Sequence, residues 1–91
     1  MNGVVVIEKA KILNLVEKQS DDGKIVWYEV VFMQNSDINT VTINKNTSEK
    51  LQIDEVYDLL MQITEVLKAT KSGQAYKSHK FRVIDCYDTE D

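Results

Sequence analysis

Basic side chains are concentrated in one stretch near the end of the chain, residues 66–84. This stretch has five cations and no Asp or Glu, whereas the other six Lys and Arg share the rest of the chain with fifteen acids, which gives the rest a charge of −9. Cations neutralise phosphates, and aromatic rings stack on unpaired bases. The stretch therefore predicts a site for a single-stranded nucleic acid, with these residues as candidates: Lys68, Lys71, Tyr76, Lys77, Lys80 and Arg82. The other interpretation is a solvated hairpin whose lysines keep an exposed edge from pairing with other chains.

The single tryptophan, Trp27, also has two interpretations. A lone tryptophan in a small domain usually packs in the core. In residues 25–33, however, Trp27 alternates onto the same face as Glu29, and that face is expected to be the wetter one. On that face the indole ring would be a second stacking ring beside Tyr76.

Residues suited to catalysis or metal binding are few. The chain has one His and one Cys, and neither a phosphate-binding G-x-x-x-x-G-K loop nor an H-E-x-x-H zinc motif. His79 and Cys86 are seven residues apart, so on one strand they would face opposite sides. The sequence therefore predicts a protein that is not an enzyme and that binds no metal or cofactor.

Composition indicates one small globular domain in the cytoplasm. Ninety-one residues suffice for one modest core, and we expect a domain over residues 1–85 and a short acidic tail over 86–91. The apolar run near the N-terminus has four residues, too few for a signal peptide or a membrane span. A single cysteine forms no internal disulfide, which fits a reducing compartment.

The hydrophobic pattern predicts three strands followed by a short helix. Residues 3–16 are a long apolar strand with a bend or bulge near Lys9. A turn containing Gly23 leads to a strand over residues 25–33, whose face with Val30 and Phe32 points inward. A second turn precedes the strand at 40–45, and residues 46–51 fit one or two helical turns.

Residues 53–69 fit two patterns. A period of 3.6 gives a good apolar stripe and slightly favours a helix, whereas a period of two places Tyr57, Leu59 and Met61 on one strand face. The last segment, 75–87, is a strand with Phe81 and Val83 toward the core, and it needs a partner. A preceding strand joined by the turn T-K-S-G-Q would supply that partner.

The resulting order of elements predicts the fold. Three strands, a short helix and a hairpin within about ninety residues match the five-stranded Greek-key barrel known as the oligonucleotide-binding fold. We therefore expect a mainly β chain with an OB-fold-like barrel and one short helix between strands three and four. The alternative is an α+β fold with a three-stranded meander, a long helix and one final strand.

Three segments resemble single-stranded DNA-binding proteins of the filamentous-phage gene V type. They are G-K-I-V-W-Y-E-V (residues 23–30), V-Y-D-L-L-M-Q-I (56–63) and S-G-Q-A-Y (72–76). The resemblance implies a small cytoplasmic barrel, often a homodimer, that coats single-stranded DNA without sequence preference during phage or plasmid replication. It also places one aromatic after a Gly-Lys turn, here Trp27 or Tyr28, and one at the tip of the late hairpin, here Tyr76.

Two functions follow as expectations. The first is non-sequence-specific binding of single-stranded DNA in the replication of a phage, plasmid or mobile element. RNA is an alternative ligand, because no residue in the sequence is identified as recognising a 2′-hydroxyl group. Residues 86–91 have two interpretations: a frayed, solvated chain end, or a segment that docks replication proteins, as an acidic tail does in larger single-strand binders. The second function is an interaction or accessory structural module that binds no nucleic acid.

Overall fold

The structure, a computed structural model, describes residues 2–89 as five strands and one short helix. The elements in chain order are β1 (Gly3–Gln19), β2 (Val26–Gln34), β3 (Asp37–Ile43), α1 (Lys45–Ser48), β4 (Val56–Ala69) and β5 (Ala75–Asp88). The strands close into a barrel in the order β1-β2-β3-β5-β4, and only β3 and β5 run parallel. This arrangement confirms the predicted OB-fold-like Greek-key barrel with one short helix between strands three and four.

Strand β4 occupies the segment whose sequence fitted two patterns. Its residues 56–63 pair with β1 along one edge, and the strand pairs with β5 along the other edge from Tyr57 to Ala69, so the part of β4 within the barrel has partners on both edges. Tyr57 and Leu59 are buried by this pairing. The helical alternative, and the α+β fold that depended on it, are therefore wrong, because pairing with two neighbours outweighs a modest helical periodicity.

A bulge divides β1 into two halves with different partners. Lys9 has a positive φ of 54°, and the register with β4 shifts between Ile7 and Ala10. The first half pairs with β4, whereas the second half pairs with β2 from Lys11 onward. Asp58 accepts a 3.0 Å hydrogen bond from the Lys9 backbone N–H through Oδ1. The predicted bulge is thus confirmed, and it turns one strand around the barrel so that the sheet closes.

The core fills the barrel interior. Its largest fully buried side chains are Phe32, Ile12, Leu59, Val30 and Val83. Helix α1 lies against one end, where Thr47 donates a 2.9 Å hydrogen bond through Oγ1 to the backbone oxygen of Ile84. Phe81, predicted to join Val83 in the core, is 47% exposed because it lies where β5 leaves the barrel.

The β4–β5 hairpin projects beyond the barrel. Pairing with β1 extends along β4 to Ile63, and pairing with β3 reaches β5 at Arg82 and Val83. Residues 64–80, which we call the arm, therefore form a two-stranded ribbon closed by a turn in which Gly73 has φ 87°. The arm contributes to an elongated molecule of 50 × 31 × 23 Å.

The end of β5 belongs to the barrel. Cys86 pairs with Leu59 and packs against the core, and β5 continues to Asp88. Residues 86–88 of the predicted tail are thus part of a strand, whereas Glu90 and Asp91 lie outside the described residues. Within residues 2–89 the helix has four residues, and no helix has the length and apolar character needed to cross a bilayer.

The thiol of Cys86 is expected to react slowly. Burial raises its pKa, and the neighbouring Asp85 carboxylate raises it further, so less of the reactive thiolate is present at pH 8 than in an exposed cysteine. We expect iodoacetamide to alkylate the folded protein several-fold more slowly than the urea-unfolded protein, as followed by mass spectrometry. Equal rates in the two states would show that the thiol is not shielded.

Candidate nucleic-acid interface

An open groove crosses the outer surface of the barrel over strands β2 to β5. Its volume is about 840 Å³. Its lining consists of Ile25, Trp27, Thr42, Asn44, Gln62, Thr64, Lys80, Phe81, Arg82 and Ile84. A floor of hydroxyl and amide side chains thus lies between a tryptophan on one strand and two cations on another.

Trp27 lies at one wall of this groove. Strand β2 carries it on the outer face because its neighbours Val30 and Phe32 define the inward face. The indole is half-buried, and its Nε1 donates a 3.0 Å hydrogen bond to Oε2 of Glu29. The ring is therefore held in place yet lines the groove, which excludes the fully buried interpretation.

Arg82 and Lys80 form the opposite, basic wall. Arg82 pairs with Thr42 of β3 and with Gln62 of β4, and its Nη1 donates a 3.1 Å hydrogen bond to Asn44 Oδ1. Because Asn44 is uncharged, this contact orients the guanidinium without neutralising it. Among residues 2–89 the ion pairs involve Lys50 and Lys77, so the charges of both groove cations are available to a ligand.

One face of the arm continues the basic wall. Paired residues on adjacent strands share a face, and alternate residues along a strand do so too. Lys80 pairs with Thr64, and Lys68 pairs with Tyr76, so Lys68, Tyr76, Lys80 and Arg82 share one face. Tyr76 is 48% exposed and lies six residues from Arg82, roughly 20 Å at the rise of a strand. We call these four residues the basic face.

The remaining two sequence-predicted cations lie apart from the basic face. Lys77 points to the other side of the arm, where its Nζ is 3.3 Å from Oε1 of Glu65. Lys71 lies in the turn at the tip of the arm, beyond the last pair, Ala69 with Ala75. The structure thus brings Trp27, Lys80 and Arg82 together in the groove, and the basic face continues from the groove along the arm. Lys77 lies on the opposite side of the arm.

Sequence reasoning missed the polar floor of the groove. Thr42 and Asn44 come from β3 and the residue after it, and Gln62 and Thr64 come from β4. Strands β3 and β4 are not neighbours, since β5 lies between them. The uncharged outer face of β3 was visible in the sequence as alternating Thr and Asn, but its position beside Arg82 depends on the parallel β3–β5 pairing.

Comparisons with known proteins leave the groove to be interpreted from its own geometry. No protein-family model, curated protein or solved structure matches this chain. Within residues 2–89 no three or more His, Cys, Asp or Glu side chains are grouped closely enough to hold a metal ion. His79 pairs with Glu65 and Cys86 with Leu59, far apart along the same hairpin. The groove and the basic face are therefore the features on which a function is proposed.

Proposed function

We propose that this protein binds single-stranded DNA without sequence preference, in the replication of a phage, plasmid or mobile element. The observation that supports this most is the groove itself, in which an accessible tryptophan faces two cations that form no ion pair with other described residues. The basic face of the arm lengthens that surface. The setting in replication rests on the resemblance to gene V type proteins, and a cytoplasmic location rests on the single cysteine and the short N-terminal apolar run.

Binding on this surface would combine two interactions. Lys80, Arg82 and Lys68 neutralise phosphates, while the rings of Trp27 and Tyr76 stack on bases, each stack contributing roughly 1–3 kcal/mol. Hydroxyl and amide groups on the floor both donate and accept hydrogen bonds, so they accommodate any base. The acidic remainder of the chain repels phosphates and thereby directs the strand to the groove.

A second candidate function is an interaction module that binds protein rather than nucleic acid. It is favoured by apolar side chains that remain exposed outside the groove, among them Val4, Ile38 and Leu67. This candidate predicts no salt-sensitive binding to oligonucleotides. Docking of replication proteins on the acidic end of the chain is compatible with either function.

Titration with oligo-dT tests the proposal, and two tyrosines of matched exposure sharpen it. Tyr76 and Tyr87 are 48% and 50% exposed, but Tyr76 is on the basic face whereas Tyr87 lines a separate depression beside Asp58. We expect Tyr76→Ala to weaken binding roughly 5- to 150-fold, because a stacked ring is worth roughly 1–3 kcal/mol. We expect Tyr87→Ala to bind like the unaltered protein, as measured by fluorescence anisotropy of labelled oligo-dT.

The fluorescence of Trp27, the single tryptophan, can be measured in the same titration. Stacking of a base on the indole is expected to quench its fluorescence, and added salt is expected to reverse the quenching together with binding. Oligo-dT that leaves both anisotropy and indole emission unchanged at low salt would exclude the proposed function. Equal weakening of binding by Tyr76→Ala and Tyr87→Ala would show that DNA does not bind on the basic face. A parallel titration with oligo-rU compares the affinity for RNA with that for DNA.

A further inference from the structure

The first half of β1 has an unpaired edge. Residues 3–7 pair with β4 on one side, whereas pairing with β2 on the other side begins only at Lys11. Next to this segment, Gln34 Nε2 donates a 2.8 Å hydrogen bond to the backbone oxygen of Glu8. No strand within residues 2–89 covers the outer edge of residues 3–7, so alternate backbone N–H and C=O groups along it are open to another strand.

The composition of this edge differs from that of a protected one. Residues 3–7 read G-V-V-V-I, with no charge and no proline, and Val4, Val5 and Val6 are 57%, 41% and 55% exposed. Edge strands that remain unpaired usually carry lysine or proline, which prevent pairing. The open edge of β5 in the arm does carry lysines, Lys77 and Lys80. Of these two edges, only that of β1 is suited to pairing.

We infer that this edge pairs with the same edge of a second copy of the chain, antiparallel and centred on Val5. A charged partner strand would find no complementary charge on residues 3–7, whereas an identical apolar strand matches it residue for residue. A two-fold axis through Val5 places Val4 opposite Val6 of the second copy and Gly3 opposite Ile7 of the second copy. All paired side chains are then apolar or glycine.

This pairing has a geometric consequence for the basic face. Two identical edges that pair antiparallel are related by an axis perpendicular to the sheet, so each face of one sheet continues into the same face of the other. The result is a six-stranded sheet in the order β5-β4-β1-β1-β4-β5, with both basic faces on one side. Only the use of this side for DNA depends on the proposed function, since the pairing itself does not.

Charge substitutions test the pairing through the molecular mass in solution. Val4→Lys combined with Val6→Lys sets lysines opposite each other across the axis, and Val4→Lys combined with Val6→Glu sets lysine opposite glutamate. We expect the unaltered protein to approach twice the mass of one chain as its concentration rises in light scattering. We expect the Lys/Lys variant to remain monomeric and the Lys/Glu variant to recover the dimer. Monomers at every concentration for the unaltered protein, or no difference between the two variants, would overturn the pairing.

A cysteine scan tests the register. In a Cys86→Ala background, Val5→Cys places two thiols opposite each other on the axis, within the Cα separation that a disulfide requires. Val4→Cys places each new thiol opposite Val6 of the second copy. We expect rapid disulfide dimers from Val5→Cys, about tenfold slower ones from Val4→Cys, and none after unfolding in urea. Equal rates for the two positions would reject the Val5-centred register.

These experiments need no nucleic acid, so their result is independent of the proposed function. A dimer that binds no oligo-dT would keep the pairing and reject the function. A monomer that binds oligo-dT would do the reverse.

Discussion

Replacing Lys80 and Arg82 together by alanine is expected to weaken oligo-dT binding by about tenfold to a hundredfold at moderate salt. Both side chains line the groove, and neither forms an ion pair with an acid among residues 2–89. Each phosphate that is no longer neutralised should reduce the slope of log K against log salt by roughly 0.7, so the double variant should reduce it by roughly 1.4. Anisotropy titrations of labelled oligo-dT over a range of salt concentrations measure both quantities.

A second double variant separates position from charge. Lys50→Ala with Lys77→Ala removes the same number of cations, but Lys50 is paired with Asp85 at 3.6 Å and Lys77 with Glu65 at 3.3 Å. We expect this variant to keep most of the affinity and the salt slope of the unaltered protein. If the two double variants reduce affinity equally, general charge rather than the groove governs binding.

Phe32→Ala is expected to have the largest effect on stability. Phe32 is 2% exposed and is among the largest fully buried side chains, and such truncations cost about 3–5 kcal/mol. Domains of this size have about 5–15 kcal/mol of stability in total, so the decrease is a large part of it. We expect the midpoint of thermal unfolding, followed by far-UV circular dichroism, to fall by about 15 °C or more.

Phe81→Ala is the matched control for that experiment. The same side chain is removed, but Phe81 is 47% exposed where β5 leaves the barrel, so we expect a decrease below about 1.5 kcal/mol. Equal destabilisation by the two variants would contradict the barrel core as described. The far-UV spectrum at low temperature checks that each variant is folded before melting.

Much of the fold could be predicted because local signals agree with it. The positive φ of Gly23 and the bulge at Lys9 follow from turn chemistry and interrupted alternation, and Val30 and Phe32 are buried as period two requires. Strand β4 was ambiguous because its apolar residues satisfy both periods. The segment forms a strand and not a helix because it pairs with β1 and with β5, and this pairing depends on distant parts of the chain.

The site was predictable in composition but less so in geometry. Alternation along β5 already separates Tyr76, Lys80 and Arg82 from Lys77, so the sequence held the signal that divides the cations into two faces. The hydrogen bond between Arg82 and Asn44 could not be predicted, because it depends on a parallel contact between strands nearly forty residues apart. The outer face of Trp27 follows from alternation along β2, but the hydrogen bond that its Nε1 donates to Glu29 could not be predicted from residue type.

The parallel contact between β3 and β5 is the shortest junction in the barrel. It has two residue pairs, Thr42 with Arg82 and Ile43 with Val83, and is extended by the Asn44 backbone N–H, which donates to the oxygen of Val83 at 3.1 Å. Arg82 faces the groove at this same junction. A ligand held there would bridge the two strands and oppose their separation, so occupancy of the groove and closure of the barrel are thermodynamically linked.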